Sequence, residues 1–150
     1  MPIPQLTQHG VLPVGQHNCT LDEVQSAYTG NGHRRQLWGD FNRFLVWVRN
    51  QPLPQCILID GGFTSDKANP KDIDVVFDLT DDSDATRNHW FYVNATQYQM
   101  VKDQFRVDFW VYAPGAQRDL RAFFEYVRID EALRRGLMPG ARKGLLRIVP

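Results

Sequence analysis

Residues 56–79 constrain the fold more than any other part of the 150-residue chain. A short apolar run, Cys56-Ile57-Leu58-Ile59, meets Asp60 and the pair Gly61-Gly62. An apolar run this short, stopped by glycines, predicts a buried strand that ends in a tight turn. Polar residues follow, and a second β-rich run covers residues 73–79. Asp72 and Asp74 stand at its start, and a strand points residues i and i+2 to the same face. Both carboxylates therefore project together from one edge of a sheet, just past a glycine turn. Two like charges held that close repel each other, and a cation between them removes the cost. Magnesium prefers carboxylate oxygens and keeps positions open for waters and phosphates. Gly61 and Gly62 let backbone N–H groups face phosphate oxygens with no side chain in the way. The pattern suits a nucleoside triphosphate held with its metal.

The rest of the chain supplies the sheet and its cover. Residues 1–19, with Pro2, Pro4, Gly10, Pro13 and Gly15, read as an extended, irregular arm. Thr20 and Glu23 form a capping-box pattern that opens a short helix to about Tyr28, and Gly30-Asn31-Gly32 breaks it. Over residues 33–49, Leu37, Trp38, Phe41, Phe44, Leu45 and Val48 line one face of an amphipathic helix. That aromatic stripe reads as core packing, while Arg34, Arg35, Asp40, Asn42, Arg43 and Arg49 fill much of the rest. Residues 80–84 are acidic and turn-like. A helix over 83–92 and a second short one over 95–102 follow. Residues 104–112 read as a strand on which Asp108 shares a face with Arg106, Trp110 and Tyr112. A charge inside such a strand needs a partner; a metal supplies one, and Arg106 a weaker one. Pro114-Gly115 is a turn. A helix over 118–128 presents Leu120, Phe123, Phe124 and Val127 on one face, a shorter helix covers 130–135, and residues 145–149 form a last strand. The expected architecture is α+β (α/β-like), a small mixed sheet of three to five strands flanked by helices, in one domain over 1–150.

Lys+Arg and Asp+Glu are equal at 17 each, so no net positive field recruits nucleic acid or a membrane. A local basic patch around Arg134, Arg135, Arg142, Lys143 and Arg147 is the exception to test. No stretch approaches membrane-spanning length and no signal-peptide pattern opens the chain, so the expected location is cytoplasmic. Cys19 and Cys56 form no zinc or disulfide pattern, and Cys56 reads as a small buried residue. His9, His17, His33 and His89 show no ligand spacing. Asp60 and Asp66 read as turn and cap residues, and Asp78, Asp81, Asp82 and Asp84 as a solvated acidic cluster. Lys67 and Lys71 read as solvated loop lysines within reach of phosphates, and Trp90 and Trp110 as core rather than base-stacking residues.

Gly61-Gly62, nine residues, then Asp72-Ile73-Asp74, with Asp108 downstream, resembles the signature of the DNA polymerase β-like nucleotidyltransferase superfamily. The chain also resembles a short single-domain family within it, through Leu12-Pro13-Val14-Gly15-Gln16-His17, the Gly61 to Asp74 centre, and Lys143-Gly144-Leu145-Leu146-Arg147. The resemblance implies that Asp72, Asp74 and Asp108 hold Mg²⁺, two ions when substrate is bound, and that Asp108 lies nearest the attacking hydroxyl. It implies nucleotide contacts from Gly61, Gly62, Thr64, Ser65 and Lys71. The superfamily often has serine where Gly62 stands, so Thr64, Ser65 or the backbone must serve instead. Alone, an Asp-x-Asp is a weak signal, because Asp72 can cap the strand entry after Pro70 while Asp74 faces solvent.

Three functions compete. The first is an Mg²⁺-dependent nucleotidyltransferase that moves NMP from an NTP, ATP among them, to a hydroxyl on a protein, an RNA end or a small molecule. Nucleic acid enters only as acceptor, and a homodimer or protein partner would complete a thin cleft. The second is a non-catalytic nucleotide- or protein-binding member of the fold, for example in a toxin–antitoxin or phage-defence pair. The third, a carboxylate–metal nuclease, requires Asp/Glu-x-Lys on the last strand. Phe109 and Trp110 follow Asp108 instead.

Overall fold

The computed structural model describes residues 3–150. Five strands form one mixed sheet in the order β1-β5-β2-β3-β4, where β1 is Gly15–Asn18, β2 Ile57–Asp60, β3 Ile73–Asp78, β4 Val107–Tyr112 and β5 Gly144–Ile148. β5 runs parallel to β1 and antiparallel to β2, β2 antiparallel to β3, and β3 parallel to β4. Helices α1 (Leu21–Tyr28), α2 (Gly32–Arg49) and α3 (Asp84–Phe105) cover one face, and the short helices α4 (Leu120–Phe124) and α5 (Ile129–Arg134) lie toward the other. The fold is α+β, as the element pattern predicts. No helix among the described residues is long and apolar enough to cross a membrane.

Alternation along the strands sets the two faces. Ile57, Ile59, Ile73, Val75, Phe77, Val107, Phe109 and Val111 turn into the main core. There they meet the α2 stripe of Leu37, Trp38, Phe41, Phe44, Leu45 and Val48, all buried. Leu58, Val76 and Leu145 turn the other way into a smaller cluster. Asp60, Asp74 and Asp108 belong to that second face. α1 starts as its capping box requires, the Thr20 hydroxyl accepting from the Glu23 N–H at 3.1 Å. Cys56 is buried, and burial pushes its thiol up to about 11.

Several expectations need correction. The N-terminal arm is not wholly irregular: its end forms the edge strand β1, and Val11 and Leu12 are buried. The two helices expected over 83–92 and 95–102 are one, α3, which carries on to Phe105. Asn94 looks like a breaker, but its side-chain amide donates to the Phe109 carbonyl on edge strand β4 at 2.7 Å, so the fold uses it within the helix. Consequently β4 begins later than expected. Arg106 is not on the strand beside Asp108. It is the left-handed cap of α3 at φ 52, and its guanidinium pairs with Asp40 of α2 at 2.6 Å. The helix expected over 118–128 shrinks to α4, which has no buried residue.

Four of the five residues of the expected basic patch are ion-paired, and the fifth, Arg147, donates to Asn18. Arg134 and Arg135 pair with Glu131, Arg142 with Glu125 and Lys143 with Asp60. The acidic cluster is not merely solvated. Asp78 accepts from Thr80 and pairs with Arg121 at 3.4 Å, and Asp82 accepts from the Gln55 N–H.

Candidate metal and nucleotide site

The strand register assembles the site. Asp60 lies opposite Asp74 on β2 and β3, and Asp74 lies opposite Asp108 on β3 and β4. Three carboxylates thus form one row across three adjacent strands, on the face away from the main core. Asp72 joins from the residue before β3. One carboxylate oxygen each from Asp72, Asp74 and Asp108 lie within 4.8 Å of one another. Like charges directly opposite in a sheet repel, and the consequence appears in their acidity. Burial first, then the charges of Asp72, Asp108 and Asp60, push Asp74 up to about 8, against the pull of Lys143. Burial and Asp108 also raise Asp72, opposed by Lys102, Lys67 and Lys71. An all-oxygen donor set with surplus negative charge fits a hard divalent cation such as Mg²⁺.

The glycine turn abuts this row. Gly61 has φ +85, and a Cβ there would run into the Asp74 carboxylate. Glycine is thus required at 61 both for backbone conformation and for space. Gly62 opens a 3₁₀ turn, Gly62–Thr64. Thr64 and Ser65 follow, but their hydroxyls face inward, donating to the Gly61 and Gly62 carbonyls at 3.3 and 2.8 Å. Lys67 and Lys71 line the same cavity, as do Asp72 and Asp74.

Four supporting residues escape the sequence reading. Asp60 is not a turn residue but a buried strand end, 2% exposed, with Lys143 Nζ 2.8 Å from its Oδ1. Burial keeps the Asp60 carboxyl raised despite the lysine. Lys143 therefore supplies the cation that this fourth carboxylate demands. Tyr98 of α3 donates its hydroxyl to Asp108 Oδ1, and burial followed by that bond raises the phenol.

Arg34, expected on the polar face of α2, is buried instead. Its guanidinium donates to the carbonyls of Tyr28, Phe63, Gly62, Ser65 and Lys67. Asn31 adds a bond to the Ala68 carbonyl at 2.8 Å, and His33 shares a hydrogen bond with the Pro70 carbonyl. The first turn of α2 thus brackets the whole loop between the glycines and the carboxylates. From the opposite side Arg135 binds Asp66 at 2.7 Å, tying the loop to α5. Asp66 is an anchor rather than a cap. The four histidines all engage oxygen atoms of nearby residues, His9 the Arg135 carbonyl and His17 the Pro13 carbonyl among them. Trp90 is core, donating to the Pro52 carbonyl.

The cavity beside the carboxylates has a volume of about 630 Å³, within the range of small-molecule sites. A second cavity, about 390 Å³, is lined by Gln8, His9, Asp66, Lys67, Glu131, Arg134 and Arg135, with its arginines ion-paired.

Fold and site together define a small α+β protein with a carboxylate row across its sheet and a glycine turn beside it. The chain belongs to the family of unknown function DUF6932, whose model matches residues 4–149. Neither curated proteins nor solved structures gave a match.

Proposed function

We propose that this protein is an Mg²⁺-dependent nucleotidyltransferase, moving NMP from an NTP to a hydroxyl acceptor in the cytoplasm. The observation that carries the reading is the convergence of Asp72, Asp74 and Asp108 beside Gly61, where a Cβ would strike the Asp74 carboxylate. Asp72, Asp74 and Asp108 would hold the metal, which when bound neutralises the triphosphate and polarises its phosphoryl oxygens. Asp108 receives the proton of the attacking hydroxyl. Its Oδ1 accepts from Tyr98, which fixes the orientation of the carboxylate. The acceptor oxygen bonds to the α-phosphorus, the bond from that phosphorus to the bridging oxygen breaks, and pyrophosphate leaves. Lys67 and Lys71, on the cavity wall, offset the negative charge of the phosphates. Isothermal titration of ATP, GTP, CTP and UTP with Mg²⁺ tests the reading, on the native chain and on Asp72→Ala/Asp74→Ala. Metal-dependent binding that vanishes in the variant, followed by transfer of label from the bound NTP, is the expected result. A folded native chain that binds no NTP overturns it.

A second reading is binding of a nucleotide without turnover. It is favoured by Gly62, which offers no hydroxyl, and by Thr64 and Ser65, whose hydroxyls are spent on their own loop. NTP binding with no transfer to any hydroxyl acceptor selects this reading.

A further inference from the structure

The cavity that ends at the carboxylates has an aromatic wall. Phe123 and Tyr126 line it together with Asp72, Asp74 and Gly61, yet they are 60% and 48% exposed. The sequence pattern puts Phe123 and Phe124 on one helix face with Leu120 and Val127, but α4 buries none of its residues. The rings are nevertheless held. Phe124 packs on the cluster of Leu58, Val76 and Leu145, and Phe123 meets Phe124 edge-on, centroids 5.3 Å apart at 86°. The Tyr126 backbone bridges Arg142, whose guanidinium lies 5.1 Å from the Tyr126 ring centroid. Hydrogen bonds from Lys143 to the Glu125 carbonyl and from Val127 to the Ala141 carbonyl fasten this segment to the approach to β5.

The same cavity also takes in Lys67, Lys71 and Lys143. One hollow thus combines carboxylates, ammonium groups and fixed, water-exposed aromatic rings. The ligand that matches all three carries a metal-binding polyphosphate at one end and a planar ring at the other. We infer that Phe123 and Tyr126 form the base-binding wall of this cavity, stacking on the nucleobase of a nucleoside triphosphate. The inference rests on the nucleotide reading of the carboxylate end. Stacking of a base on an aromatic side chain is sequence-tolerant, because every base has a π-face. The wall therefore adds affinity for nucleotides in general, and the difference between a nucleotide and a bare polyphosphate measures it.

The test compares Mg²⁺-ATP with Mg²⁺-tripolyphosphate by isothermal titration on the native chain, on Phe123→Ala/Tyr126→Ala, and on Tyr92→Ala. Tyr92 is an exposed α3 aromatic outside the cavity and serves as control. Circular dichroism establishes that each variant is folded. The expected result is ATP binding about tenfold weaker or worse in the double variant. Tripolyphosphate affinity stays the same in all three proteins, and ATP affinity is unchanged in Tyr92→Ala. Native ATP affinity no greater than that for tripolyphosphate overturns the base wall while sparing the nucleotide reading. So does an unchanged ATP affinity in the double variant; if its mass by light scattering also falls, the rings belong to an interface between copies of the chain. If neither ligand binds the native chain, the nucleotide reading fails and the base wall with it.

Discussion

Replacing Asp74 by asparagine should stabilise the metal-free protein while abolishing its response to Mg²⁺. Asp74 stands in the middle of the row, opposite Asp60 and Asp108. Its carboxyl titrates near 3.8 in an unfolded chain and is pushed up to about 8 in the fold, by burial and then by Asp72, Asp108 and Asp60. The sign follows from proton binding. Between these two values the native state holds a proton that the unfolded state releases, so stability falls as pH rises through the window. At pH 7 the cost is about 4 kcal/mol, and at pH 5 about 1.5 kcal/mol. Asparagine keeps the shape and cannot ionise, but it leaves a buried amide without an assured partner, an offset of about 1–3 kcal/mol. The net expectation at pH 7 is a gain of about 1–3 kcal/mol, or about 2–10 °C in Tm. Thermal unfolding followed by circular dichroism in EDTA, at pH 7 and pH 5, measures it. The advantage of the variant should shrink at pH 5. Added Mg²⁺ should raise the Tm of the native chain by mass action and leave the variant where it was. A variant less stable than the native chain in EDTA at pH 7 would refute the reasoning, because burial and the neighbouring charges would then not be penalising an ionisable group at this position.

Four further predictions concern the supports of the site and its glycine turn. Arg34→Lys loses the fork that reaches five carbonyls; urea unfolding should show a loss of about 3 kcal/mol or more, and limited proteolysis should cut the 62–70 loop. Lys143→Ala leaves Asp60 buried without its cation and should cost about 3–5 kcal/mol, most of it recovered in Asp60→Asn/Lys143→Met by the same assay. Gly61→Ala forces a side chain at φ +85 into Asp74 and should destabilise by about 2 kcal/mol or more while abolishing Mg²⁺ binding by titration. By contrast, Gly62→Ser places its Cβ 3.0 Å from Cδ of the long Lys67 side chain. It should change stability by less than about 1 kcal/mol and, with a hydroxyl facing the cavity, tighten triphosphate binding.

How much of this is visible in the sequence depends on the range of the interaction involved. The α2 stripe is legible because a helix repeats its buried face every three or four residues, and one helix carries the whole signal. Asp72, Asp74 and Asp108 are legible for the same reason, since alternation alone sends them to the face opposite Ile73, Val75, Val107 and Phe109. The unity of α3 is not, because Asn94 is a poor helix former whose amide finds its acceptor on β4, beyond any local window. Nor is the exposure of Phe123: it shares a helix face with Phe124, which packs on the Leu58 cluster, but nothing in that spacing says that a cavity lies opposite Phe123.

Asp60 illustrates the limit within the site itself. Followed by two glycines it has the signature of a turn, and only the β2–β3 register, which no local pattern encodes, sets it against Asp74. Its burial then creates a demand for charge that must be met from elsewhere, and Lys143 meets it from beside β5, at the far end of the chain. Arg34 and Tyr98 act likewise, one bracketing the glycine loop from α2 and the other steadying Asp108 from α3. All three are long side chains whose roles are set by reach rather than by period. Short carboxylates must sit where their strands place them, so the row of aspartates can be read from alternation. The residues that make such a row tolerable can come from any element within reach, and only the assembled fold identifies them.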